Sequence, residues 1–162
     1  MHTERKLPVA FLSISLCILI MLLTSCTSNT NDKSYATPKV VNHFGEKAKE
    51  LDRKCEDINQ LNIANQLISA AKMIFELRTK GDNYGELSQY YYDNPDIVKT
   101  EIDIQLITTS QKDNTGVVWV QYSALYYNQQ NNLIQGSSEV ISRWEIEKVN
   151  QKWIVTDIDD LP

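Results

Sequence analysis

The chain has 162 residues, 42% of them hydrophobic and 23% charged, with 16 basic against 21 acidic side chains for a net charge of -5. That length supports one ordinary globular domain, and the apolar fraction excludes a disordered chain. The acidic balance excludes a general nucleic-acid binder, which needs clustered Lys and Arg against phosphates.

Arg5 and Lys6 precede an apolar run from Leu7 to Leu23, which leads into Leu23-Thr24-Ser25-Cys26. A run of 17 residues stands at the lower limit of a bilayer-spanning helix, so length alone leaves a membrane anchor open. The residues that follow decide the reading. They resemble the lipobox of bacterial lipoproteins, in which small residues precede a Cys that is acylated and becomes the first residue after cleavage. The resemblance implies a signal peptide over residues 1–25 and a lipid, palmitate among its acyl groups, on Cys26. It places the protein on the outer side of the cell membrane or on the outer membrane, within the cell envelope. Cys17 would leave with the signal and Cys26 would be acylated, so Cys55 has no partner for an internal disulfide.

Residues 26–38 are small and polar, the composition of a flexible tether. The domain is expected over 39–162. Val41, Phe44, Ala48, Leu51, Cys55 and Ile58 recur at steps of three and four, which predicts one amphipathic helix within a segment 39–60 with Cys55 on its buried stripe. From Leu61 to Lys80 two adjacent apolar stripes, including Ile68 and Phe75, predict a helix wide enough on its apolar side to cover a sheet. No Pro or Gly separates the two stretches, so one bent helix and two helices are both open. Gly81 is the expected left-handed cap, and Tyr84 to Tyr92 a short helical turn closed by Asn94-Pro95.

Beyond Pro95 the periodicity becomes two. Ile102 to Leu106, Val117 to Tyr127, Ser138 to Val149 and Trp153 to Ile158 read as four strands, joined by turns at Lys112 to Gly116, Asn128 to Asn132 and Asn150-Gln151. The fold class is therefore α+β: N-terminal helices packed on a curved antiparallel sheet of four or more strands.

The order of a helix, Lys80-Gly81-Asp82, a short aromatic helix, and long strands carrying Arg143-Trp144-Glu145-Ile146-Glu147-Lys148 and Lys152-Trp153-Ile154-Val155 resembles the nuclear-transport-factor-2-like superfamily. The resemblance covers residues 61–162 and implies a cone-shaped, cystatin-like roll of sheet around a helix. The segment 39–60 departs from that pattern, and the pocket residues of the superfamily's enzymes have no clear counterpart.

Little chemistry is legible. There is no Gly-rich phosphate loop, paired-Cys motif or nucleophile elbow, and His43 is the one histidine beyond the signal, read as a surface or capping residue. No metal and no cofactor is expected. Asp157, Asp159 and Asp160 carry the oxygen ligands of a weak cation site, against which stands a solvated strand end.

The candidate ligand or partner surface is Tyr84, Tyr90, Tyr91, Tyr122 and Tyr126, whose rings would line the mouth of a cone; the alternative is ordinary packing of rings on strands. Arg143 joins them if it points inward, where it would select an anion. Pointing outward, it forms the polar side of a half-buried strand.

The expected function is a non-catalytic envelope lipoprotein binding a partner protein or a small ligand, including as an adaptor in an envelope or secretion assembly, or as a homodimer through the sheet face. The other class is a pocket enzyme of the isomerase or dehydratase kind, for which Asp103 is the carboxylate at hand.

Overall fold

The computed structural model describes residues 34–162 except Thr79 and Gly81, and of Asp82 the backbone alone. The segments expected to be a signal peptide and lipobox with Cys26, most of the expected tether, and the expected cap at Gly81 lie outside the described residues. Tyr35–Pro162 is one compact unit.

Helix α1, Pro38–Phe44, starts where Pro occupies the first turn and the Thr37 hydroxyl accepts from the Val40 amide. It does not run on to Ile58. Gly45 takes φ 57° and ψ −130°, a backbone that ends the α-helix, and Gly45–Asp52 continues as a 3₁₀ segment. The expected stripe is broken accordingly: Val40, Phe44 and Ala48 are buried, while Val41 is 44% and Ile58 73% exposed. Cys55 falls in the non-helical stretch after the 3₁₀ segment, half-buried, with its Sγ 3.8 Å from the Asp57 carbonyl.

Helix α2, Ile58–Leu77, is separate. Its start is set by Asp57, whose Oδ1 accepts from Asn59 N at 2.8 Å and Gln60 N at 3.1 Å. Its end is set by Arg78 in the left-handed conformation, with the guanidinium donating to the Asn94 and Ile97 carbonyls, both at 2.8 Å. The wide apolar side of α2 is buried as expected, including Ala64, Leu67, Ile68, Ala71, Ile74 and Phe75. Among the described residues no helix is long and apolar enough to cross a membrane. Two 3₁₀ turns, Asp82–Tyr84 and Glu86–Tyr90, follow. Gly85 between them bridges Val155, at φ 68° and so close that a Cβ would meet the Val155 carbonyl oxygen at 2.1 Å.

Strands β1 (Lys99–Lys112), β2 (Thr115–Tyr127), β3 (Leu133–Val149) and β4 (Lys152–Leu161) form an antiparallel meander in the order β1-β2-β3-β4. The sheet is curved and unclosed, and the fold is α+β. Register shifts at Leu106/Thr108, Tyr122/Ala124 and Glu145/Ile146 mark bulges of the kind that bend strands. Alternation then sorts the side chains. Ile104, Val118, Val120, Tyr122, Val140, Trp144 and Val155 face α2 in the main core.

Trp119, Ile141 and Leu161 face the other way and pack with Val40, Phe44 and Ala48, so the N-terminal segment closes the outer face of the sheet. Over Trp119, Ile141 and Leu161 the outer face of the sheet is thus occupied by the chain itself.

Candidate functional site

The inner face is not fully covered. β4 ends at Leu161 opposite Ile141, whereas β3 continues to Leu133, so residues 133–139 form an open corner of the sheet paired to β2 alone. Glu139 is held there at φ 54° with its amide donating to the Ser123 hydroxyl at 2.9 Å, a kink that turns β3 at the bulge. A cavity of about 270 Å³ lies over this corner. Its walls are Phe75 of α2, Gln89 to Tyr92, Tyr122, Ala124 and Tyr126 of β2, Gln135 and Ser137 of β3, and Ile158 and Asp160 of β4.

The floor is a hydrogen-bonded aromatic cluster. Tyr122 Oη donates to Asp160 Oδ2 at 2.9 Å, and Tyr90 Oη lies 3.3 Å from Oδ1. The same Tyr90 oxygen accepts from Trp144 Nε1 at 2.9 Å and meets Ser142 Oγ at 3.2 Å. Phe75 stacks on Tyr90 at 4.8 Å, and Tyr90 meets Tyr122 edge-on at 5.4 Å.

Burial, and then the charge of Asp160, pushes the Tyr90 hydroxyl far above the ordinary range. Burial likewise raises Tyr122, followed by its neighbours Tyr90 and Asp160, and burial raises Tyr126. These hydroxyls stay protonated, and those of Tyr90 and Tyr122 donate to Asp160. Both oxygens of Asp160 are engaged by them, so the carboxylate sits as an anchored acceptor at the base of an aromatic-walled cup.

Four of the six residues proposed from sequence, Tyr90, Tyr91, Tyr122 and Tyr126, meet in this cavity. Tyr84 does not: it packs beside Trp153 at the other end of the inner face, under the Lys152 ammonium at 4.0 Å.

Arg143 does not either: it points outward, as the second reading has it, but it is buried there and not the polar side of a half-buried strand. Beside the inward Trp144 it points to the outer face, yet it is only 5% exposed, because the 3₁₀ segment covers it. Glu50 accepts from Arg143 Nε at 2.9 Å, from Nη2 at 3.2 Å and from Trp119 Nε1 at 2.8 Å, while Nη1 donates to Glu145 at 2.6 Å. Burial raises the Glu50 pKa, but the hydrogen bonds from Arg143 and Trp119 and the guanidinium charge outweigh it and leave the carboxyl below its ordinary value. Arg143 is therefore the pin that fastens the N-terminal segment, with no free edge for an anion.

The three C-terminal aspartates do not converge. Asp160 faces the cavity, Asp159 the outer side with His43 Nε2 at 2.9 Å, and Asp157 is exposed; among the described residues no group of acidic, His and Cys side chains is arranged to hold a metal. Asp103 is exposed and bonded to Gln105, away from the cavity.

Asp160 itself was legible only as part of an acidic end. Extending the alternation of β4 by one step past Ile158 turns it inward beside Tyr122, which is the signal that locates it.

No family model matches the sequence, and no curated protein matches it. Among solved structures the fold is similar to a SEC-C motif-containing protein from Rhodopseudomonas palustris, at 12% identity and TM-score 0.32, over 62% of this chain and 91% of that one. At that score the likeness carries no argument.

Proposed function

We propose that the protein is a lipid-anchored lipoprotein of the bacterial cell envelope, and that its domain, of the nuclear-transport-factor-2-like, cystatin-like type, is a non-catalytic binding module. The anchor is Cys26, and the ligand or partner side chain enters the tyrosine-lined cavity at the open corner of the sheet. The observation that carries the binding role is the pairing of an aromatic-walled cup with an anchored acceptor, Asp160, at its base, and with Gln89, Gln135 and Ser137 as further polar groups in its walls. Such a site packs a ring against its aromatic walls and orients it through a few polar groups. It suits a small molecule carrying a hydroxyl or amide donor, or an aromatic side chain of a partner protein in an envelope or secretion assembly.

A pocket enzyme is the second reading, because Asp160 provides the carboxylate beside an aromatic pocket that general acid–base chemistry requires. Binding is favoured because both Asp160 oxygens already accept tyrosine hydroxyls, whose raised pKa values keep the protons in place.

Two experiments test the proposal. Metabolic labelling with a fatty-acid analogue should mark the wild type and not Cys26→Ala; label retained by the variant overturns the anchor. Small phenols and aromatic amides should raise the melting temperature of the wild type but not of Tyr91→Ala, whose ring lies on the rim. Equal stabilisation of both proteins overturns the choice of cavity.

A further inference from the structure

A second concavity, about 670 Å³, lies between α2 and the β3–β4 turn, away from the tyrosine cavity. That volume is within the range of small-molecule sites, roughly 300–1,000 Å³. We propose that it binds a neutral oligosaccharide, with Trp153 as the stacking platform and the amides of Asn62, Asn65 and Gln66 as the hydroxyl readers.

The first reason is the indole. Trp119 and Trp144 are wholly buried, whereas Trp153 is half-buried and lines the groove. Part of its ring packs on the main core; among the described residues its Nε1 hydrogen-bonds to no protein group, so the N–H and the part of the ring that lines the groove are left for an occupant. The axial C–H face of a pyranose packs on such a ring, and the ring hydroxyls then project sideways.

The second reason is what stands beside it. Asn62, Asn65 and Gln66 occupy one side of α2 at spacings of three and four, all exposed. Their side-chain amides bond to no described residue. Each amide offers both an acceptor oxygen and donor hydrogens, the complement of adjacent sugar hydroxyls, which also donate and accept.

The third reason is charge. No carboxylate lines the groove, and its single cation, Lys152, is held over the Tyr84 ring at 4.0 Å. Nothing there selects an ionic ligand. The walls are also set in advance. Asn150 and Gln151 take φ 50° and 65° in the tight turn that presents Lys152 and Trp153, and the Gly85–Val155 bridge fixes the backbone next to Tyr84. A site ordered before binding loses less entropy on filling.

The inference does not rest on the tyrosine cavity, and its test reads different residues. Chitotetraose and maltotetraose are titrated into the full chain in a sugar-free detergent, followed by tryptophan fluorescence and by calorimetry. Because the other two indoles are buried, a saturable change in emission reports Trp153. At least one tetrasaccharide should bind, with affinity about tenfold weaker or worse in Trp153→Ala and in Asn65→Ala, and recovered in Trp153→Tyr.

Melting curves establish that each variant is folded. Should Trp153→Ala unfold, the exposed pair Asn62→Ala and Asn65→Ala carries the test alone. No binding of either sugar at about 10 mM, binding of an uncharged Gly/Ser/Asn hexapeptide in their place, or undiminished binding by the folded variants overturns the proposal.

Discussion

Replacing Glu50 with Ala should cost this domain more than any substitution at an exposed carboxylate. The change strands three donors at once: Arg143 Nε, Arg143 Nη2 and Trp119 Nε1. The Arg143 side chain is 6% exposed, so most of its guanidinium has no water to turn to. Breaking one side of a buried pair costs about 3–5 kcal/mol. Two features lower that figure here: Glu145 still holds Nη1, and the Glu50 side chain is 25% exposed, so water reaches part of the vacated space. A loss of about 2–3 kcal/mol follows. At roughly 3–5 °C per kcal/mol for a domain of this size, the melting temperature should fall by about 10 °C.

The measurement is urea and thermal unfolding of Glu50→Ala, Arg143→Met and the double variant. The double variant should be less destabilised than the sum of the two, because it leaves no orphaned charge. The pH dependence has a definite sign. The folded pKa of Glu50 lies below its ordinary 4.5, so its stabilisation is present above that value and is lost as the pH falls through the folded value. Wild type should therefore lose stability on acidification more steeply than Glu50→Ala. A single variant within about 0.5 kcal/mol of wild type, or strict additivity in the cycle, would mean that the 3₁₀ segment is not pinned to the sheet.

Three further outcomes follow from packing. Gly85→Ala should destabilise by about 3 kcal/mol or more, because its Cβ would overlap the Val155 carbonyl at a backbone angle few side chains adopt; a wild-type melting curve would contradict the bridge. Ile68→Asp should unfold the domain, since the site is 7% exposed and an unpaired carboxylate there costs several kcal/mol against a total of about 5–15; a folded circular dichroism spectrum would show α2 unpacked. Cys55 should react with a thiol reagent in the native protein, with the label lost in Cys55→Ser, as its half-exposed position requires; protection until denaturation would place it back in a core.

Period-two alternation revealed the four strands because each has one face against a core, and the turns were marked by Asn, Asp and Gly. The width of the apolar side of α2 likewise announced the sheet it covers. The segment before α2 departs from its α-helical spacing because Gly45 breaks the helix, after which a step of three such as Ala48 to Leu51 suits a 3₁₀ segment as well. Asp57, followed three residues later by Gln60, was a readable start signal for a separate helix.

The tyrosines were visible as a composition but not as a place. Tyr84 and Tyr90 are six positions apart yet serve opposite ends of the inner face, a separation made by the Gly85 bridge. For Arg143, strand alternation says which face the residue takes and not what covers that face. Its partner Glu50 is 93 positions away, beyond any local pattern.

The central claim is that ligands enter the cup above Asp160. Tyrosine-ring NMR of the full chain during titration with a small aromatic amide tests it directly, with Tyr122→Phe to remove one of the two donors that hold the carboxylate. The account predicts shifts confined to Tyr90, Tyr91, Tyr92, Tyr122 and Tyr126, with Tyr35, Tyr84 and Tyr127 unmoved and affinity altered in Tyr122→Phe. Shifts centred on Tyr84 or Tyr127, or binding unchanged by Tyr122→Phe, would contradict it.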